Sequence, residues 1–149
     1  MRLTIYVHGR PAPQGSKDLS SAGQLLERSP YLPSWRAAVK AGAFAAYKDA
    51  GIDPRQLPIF GPGVPVTIER CWFYVTAEQC RAADTDAPVG PPDADKLLRS
   101  TLDALGGARK GTARLYADDA QITKMLDIDK RRGVLGGALI IIRERRATD

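Results

Sequence analysis

The chain has 149 residues, 44% hydrophobic and 26% charged, which bounds it to a single globular domain with a real core and excludes a disordered polymer. Its 22 Lys and Arg outnumber 17 Asp and Glu, giving +5 and a pI near 9.4; because several acids are bunched, the rest of the surface is more cationic still, which favours a polyanionic partner such as nucleic acid. No apolar stretch approaches the ~20 residues of a membrane span, no signal-peptide core opens the chain, and Cys71 and Cys80 lack ligand spacing. The expectation is therefore a soluble, cytoplasmic protein with reduced thiols and no zinc site.

Leu3, Ile5 and Val7 alternate with Thr4 and Tyr6, which predicts a first strand, broken by the glycines and prolines of residues 9–15. Residues 8–33 then read as a flexible basic loop, sparse in apolar side chains and able to fold over a neighbour. From Ser34, a plausible N-cap, the pattern Trp35, Ala38, Val39, Gly42, Ala45, Ala46 has helical spacing and stops at Gly51.

Val64, Val66, Ile68, Trp72 and Tyr74 share one parity, interrupted by Arg70, and predict a long central strand over 64–75, followed by a loop over 76–90. A second helix begins at Asp93 or Ala94, because Pro91 and Pro92 cannot extend it backward and an aspartate suits the N-terminal dipole. Its spacing puts Leu97, Leu98, Thr101, Leu102 and Leu105 on one face and Asp95, Lys96, Arg99, Ser100 and Asp103 on the other, until Gly106 and Gly107 end it.

Ile122, Leu126 and Ile128, then the apolar run 138–142, predict two final strands joined across Lys130, Arg131, Arg132 and Gly133. The expected fold is a single α+β (mixed α/β) domain over residues 1–149. Its order is β-α-β-α-β-β, a mixed sheet of about four strands packed by two helices, with residues 143–149 as a basic tail.

The most informative runs are Pro91-Pro92-Asp93-Ala94-Asp95-Lys96 and Leu115-Tyr116-Ala117-Asp118-Asp119-Ala120-Gln121. Aspartate is a good helix cap and Asp-Asp a common turn dipeptide, so either cluster alone has a structural explanation. Together, four carboxylates at two element starts in a basic chain point to a divalent cation. Gathered anions repel and need one, and Mg²⁺ prefers oxygen ligands while keeping waters and room for a phosphate oxygen.

Pro92-Asp93-Ala94-Asp95-Lys96-Leu97, Asp103-Ala104-Leu105 and Asp118-Asp119-Ala120-Gln121-Ile122 resemble, in order and spacing, the signature of the RusA family of Holliday junction resolvases: D-x-D-N-L-x-K, then D-A-L, then D-D-A/S-Q-V. The loop 9–17 and Trp35-Arg36 are similar as well. The resemblance implies a RusA-like fold and a Mg²⁺-dependent endonuclease, with Mn²⁺ as a substitute. It also implies a homodimer that nicks two strands of a four-way DNA junction in recombination and repair, with no membrane and no small-molecule cofactor, often encoded by phages or prophages.

By position the resemblance implies Asp93, Asp95 and Asp119 as metal-binding catalytic carboxylates, with Asp118 a neighbouring ligand. The family's Asn is Lys96 here and its catalytic Lys is Arg99. Arginine can contact a phosphate bidentately but does not readily give up a proton, and Lys96, at i, i+3 from Arg99, is placed to reach the same phosphate. Both are carried as catalytic candidates.

Arg10, Lys17, Arg109, Lys110, Arg114, Lys130, Arg131 and Arg132 fall in expected loops and are the candidate DNA contacts, of a kind that gives affinity and orientation rather than sequence choice. Two alternatives remain open: a nuclease for other branched DNA, and a DNA-junction-binding module that has lost catalysis, as the change to Arg99 hints. His8 lacks a partner at ligand spacing, and Trp35 and Trp72 are expected to pack rather than stack on bases.

Overall fold

The computed structural model describes residues 1–15, 17–19, 22–23, 25–27, 29–80, 87–107 and 111–149. In chain order the elements are β1 (Arg2–His8), β2 (Lys17–Leu19), β3 (Leu25–Glu27), α1 (Leu32–Asp49), β4 (Val66–Val75), α2 (Ala94–Leu105), β5 (Ile122–Met125), β6 (Ile128–Arg132) and β7 (Gly137–Glu144). Short 3-10 turns lie at Pro54–Gln56 and Asp119–Gln121.

The main sheet is mixed and five-stranded. β7 lies between β1 and β4, antiparallel to both, and the far edge of β4 pairs in parallel with β5 and then β6. Register stacks the core into rungs: Leu3, Ile142 and Ile68; Ile5, Ile140 and Cys71; Val7, Ala138 and Phe73. Helix α1 packs on β1 and α2, and α2 against β4, so the helices close the core over these rungs. A mixed α+β domain of two helices on one sheet is thus as expected, with the sheet one strand larger than about four.

Several local expectations are corrected. Helix α1 starts at Leu32 rather than after Ser34: Pro33 is accommodated in its first turn, and Ser34 Oγ donates back to the Tyr31 carbonyl at 2.9 Å instead of capping. Its buried stripe is Leu32, Trp35, Val39, Ala43 and Tyr47. In β4 the register shifts between Ile68 and Arg70, which reverses the parity. Cys71, Phe73 and Val75 thereby enter the core, while Trp72 turns to the other face, between the guanidinium groups of Arg70 at 4.1 Å and Arg131 at 3.8 Å.

The expected single strand after Asp119 is two pieces, β5 and β6, broken at Leu126 and Asp127, which bond Ile68 O and Cys71 N of β4. Lys130, Arg131 and Arg132 therefore lie in β6, and the turn follows them. Arg143 belongs to β7 rather than to a tail and is buried at 7% exposure. Within the expected loop 8–33, β2 and β3 pair antiparallel. Among the described residues no helix is long and apolar enough to cross a membrane.

Candidate active site

Two prolines and a favourable dipole start α2 at Ala94, with Asp93 at the cap position in extended backbone. The Asp93 side chain makes no capping bond, and its carboxylate lies 3.6 Å from Lys96 Nζ one turn on. Lys130 reaches from β6 and donates to the carbonyls of Gly90 at 2.7 Å and Pro92 at 2.8 Å, fixing the approach to this turn. Asp93 and Lys96 open, with Arg10, Tyr31, Pro91 and Pro92, into a cavity of about 380 Å³.

From the first turn onward, Asp95, Arg99 and Asp103 recur at i, i+4 and i+8 and so form one stripe along the solvent side of α2; Asp95 and Arg99 are exposed and Asp103 half-buried. Ser100, expected on the same face, is buried instead, its hydroxyl donating to the Ala12 carbonyl at 2.6 Å. The loop 9–15 docks here. Gln14 N–H bonds the Lys96 carbonyl at 3.1 Å, and Gln14 Nε2 donates to Asp103 at 2.6 Å.

The chain then turns back through Gly106 and Gly107 against the end of α2: Ala113 N–H bonds Ala104 O, Leu115 N–H bonds Leu105 O, and Gly107 N–H bonds Tyr116 O. This return path delivers Asp118 and Asp119 beside Asp103. Asp118 Oδ1 accepts the Ala120 N–H at 2.9 Å, and Gln121 completes a capping box by accepting Asp118 N–H at 2.8 Å. Asp119 is exposed and, with Leu102, Asp103, Gly106, Gly107, Ala117 and Asp118, lines a second cavity of about 380 Å³.

The two aspartates differ in proton affinity. The Ala120 N–H holds the Asp118 carboxyl below its ordinary value, whereas the hydrogen bond that its own protonated form donates to Asp118, partial desolvation and the charge of Asp103 raise that of Asp119. Among the described residues no ion pair involves Asp103 or Asp119.

The expected meeting of Asp93, Asp95 and Asp119 at one point is not what the fold gives. Asp93 and Asp119 line different cavities, and among the described residues no group of three or more His, Cys, Asp or Glu could hold a metal ion. The cause is the length of α2: Asp103 lies eight residues, about 12 Å, beyond Asp95, and the returning chain meets the helix at that end. What remains for a cation is the pair Asp103 and Asp119. Its donors are hard oxygens, and Mg²⁺ is often held by one or two carboxylates with waters and phosphate completing the shell, so the pair fits that ion.

The expected DNA-contacting cations have diverse fates. Arg109 and Lys110 lie outside the described residues, and Lys17 is placed in β2 by its backbone. Arg10 stacks over the Tyr31 ring at 3.9 Å, and Arg114 is exposed with φ of 53°. Lys130 is held by the two carbonyls above, Arg131 pairs with Asp129 at 2.6 Å, and Arg132 donates to Cys80 O at 2.7 Å, so β6 spends all three within the fold. Asp103 and Gln121 stand in the quoted motif segments but were given no role from sequence, and Gln14 was not named there. The signals available were the i, i+8 relation of Asp103 to Asp95 and the D-x-x-Q capping-box spacing from Asp118 to Gln121.

In comparisons with known proteins, the chain matches no family model and no curated protein.

Proposed function

We propose that this chain is a divalent-metal-dependent endodeoxyribonuclease that hydrolyses phosphodiesters in branched DNA, four-way junctions foremost, and that it acts as a homodimer. The observation that carries the reading is the acidic pair Asp103 and Asp119 lining one cavity, with Asp103 on the stripe of α2 that also carries the exposed Asp95 and Arg99. The RusA-like order of these residues along the chain supports it.

Asp103 and Asp119 would hold Mg²⁺, or Mn²⁺ in its place, with Asp95 and Asp118 facing the same substrate path. When bound, the ion supplies a hydroxide-like water and a counter-charge for the transition state. Arg99 lies between Asp95 and Asp103 on the stripe, where its fork contacts phosphate oxygens and offsets their charge; it serves as an electrostatic group rather than a proton donor. Lys96 is committed to Asp93 at 3.6 Å and serves chiefly to hold that carboxylate at the helix start. A homodimer matches the approximate two-fold symmetry of a junction by facing two such sites to opposed strands.

The test is nicking of synthetic four-way junctions, flaps and linear duplexes in Mg²⁺. The expected result is paired nicks in the junction, abolished by Asp119→Asn and by Asp103→Asn and reduced by Asp95→Asn, while junction binding is retained or strengthened. Equal cutting of flaps would move the substrate to branched DNA in general. The separation of Asp93 from Asp119, together with arginine at position 99, favours a second reading, a junction-binding module without catalysis; junction binding by a chain that makes no metal-dependent nick would establish it in place of the first.

A further inference from the structure

Gln121 is buried at the base of the turn that carries Asp119, and its carboxamide is fully used. Its Oε1 accepts the N–H groups of Ala117 at 2.9 Å and Asp118 at 2.8 Å, and its Nε2 donates to the carbonyls of Gly61 at 2.7 Å and Val64 at 3.0 Å. Two acceptor sites and two donors are all that a carboxamide has.

The two halves of the group tie together two stretches distant in sequence. The 61–64 turn leads directly into β4, and beside it Phe60 bridges Tyr116 with its N–H on Leu115 O. The acidic turn is thereby fixed to the sheet through one side chain. Glutamate there would set a carboxylate against two carbonyl oxygens, and methionine would fill the space but remove the partner of two N–H groups and of two carbonyls, all partly buried.

We propose that Gln121 is a positioning residue for Asp119: it locks the turn so that the Asp119 carboxylate stays beside Asp103 in a geometry that takes a divalent cation. The proposal rests on the nuclease reading above and adds to it the group that sets the ligand geometry. Outer-shell partners of metal ligands commonly govern affinity by about 10- to 100-fold.

The experiment is Mn²⁺ titration of the metal-free protein followed by electron paramagnetic resonance, with amide hydrogen exchange at Ala117 and Asp118 and a melting curve for each variant. In the wild type both amides should be protected and Mn²⁺ should bind with an affinity that Asp119→Asn abolishes. Gln121→Met should release both amides and weaken Mn²⁺ at least tenfold at temperatures well below its melting point. Gln121→Glu keeps the acceptor half, so it should retain amide protection while weakening Mn²⁺ by a smaller factor that still exceeds twofold, and it serves if the methionine variant does not fold.

A folded Gln121 variant that melts lower yet binds Mn²⁺ within twofold of wild type would reduce the residue to a structural role and overturn the proposal. Fast exchange of both amides in the wild type would overturn it without any variant. If the wild type itself binds no Mn²⁺, the nuclease reading fails first and the positioning role falls with it.

Discussion

At Asp119 the fold raises the proton affinity of a carboxyl by setting it against Asp118 and Asp103. A group whose folded pKa lies above its unfolded one contributes stability below the unfolded value, near 3.9 for aspartate, and loses it as pH rises through the folded value. At neutral pH the ionised Asp119 is therefore a cost. Because the group is exposed the cost is small, and Asp119→Asn is expected to raise the melting temperature of metal-free protein at pH 7 by about one to two degrees. The difference should vanish as the pH falls below 4, and Mg²⁺ should raise the melting point of wild type alone. Calorimetry in chelator against Mg²⁺ checks this, and a destabilised Asp119→Asn at pH 7 in chelator would contradict it. The acids themselves were legible from sequence, since carboxylates bunched in a basic chain stand out. Which of them meet was not. That depends on where the returning chain crosses α2, and the hydrogen bonds of Ala113, Leu115 and Gly107 decide it in favour of Asp103 over Asp93 and Asp95.

At the scale of elements, α2 and its return path form the unit that presents the site, and their contact is tight at Gly106. A Cβ built there would lie 1.8 Å from Tyr116 Cε2, and Tyr116 is buried with its hydroxyl donating to Leu102 O. Neither side can give way: the ring is held by that bond, and the helix end by Gly107 N–H on Tyr116 O. Gly106→Ala is expected to destabilise the fold by about 1–3 kcal/mol, read from denaturant unfolding, and to weaken Mn²⁺ binding by shifting Asp118 and Asp119 away from α2. Unchanged stability would mean that the ring slides without cost. Helix α2 itself was readable to within a residue at its start, because proline before it, glycine after it and 3.6-residue periodicity agree. Strand β4 was readable in place but not in facing: one register shift past Ile68 exchanges the faces, so Trp72 leaves the core and Phe73 enters it. The break in apolar parity at Arg70 marks the place of that shift, but nothing in the strand says which face the residues beyond it take. Likewise the basic run at 130–132 looks like a loop by composition, and becomes strand because β4 offers it a free edge.

Over the whole molecule, β7 is the strand that closes the fold, and its one deeply buried cation organises the side of the domain away from α2. Arg143 lies between Glu69, at 3.1 Å, and Asp149, at 2.5 Å, while Arg2 shares Glu69 from β1 at 2.9 Å. Asp149 also accepts from Thr67 Oγ1 at 3.2 Å and Arg146 N–H at 2.8 Å. Bonded first of all to Arg143, its carboxyl is held far below the usual carboxylate range. The depressed value fixes the sign: the stability it contributes is complete above the unfolded pKa, near 3.9, and is lost progressively as pH falls from there toward the folded value. Asp149→Asn should therefore melt lower than wild type at pH 7, by an amount that shrinks steadily between pH 4 and pH 2. Arg143 keeps Glu69 in that variant, so the domain should remain folded at neutral pH; Arg143→Met removes the charge that both carboxylates answer, and should cost more than Asp149→Asn at pH 7. Melting curves of the three proteins across this range distinguish the network from an incidental surface pair, for which Asp149→Asn would track wild type at every pH. Junction cutting at neutral pH should be unaffected by Asp149→Asn, because the network and the acidic pair Asp103 and Asp119 share no residue.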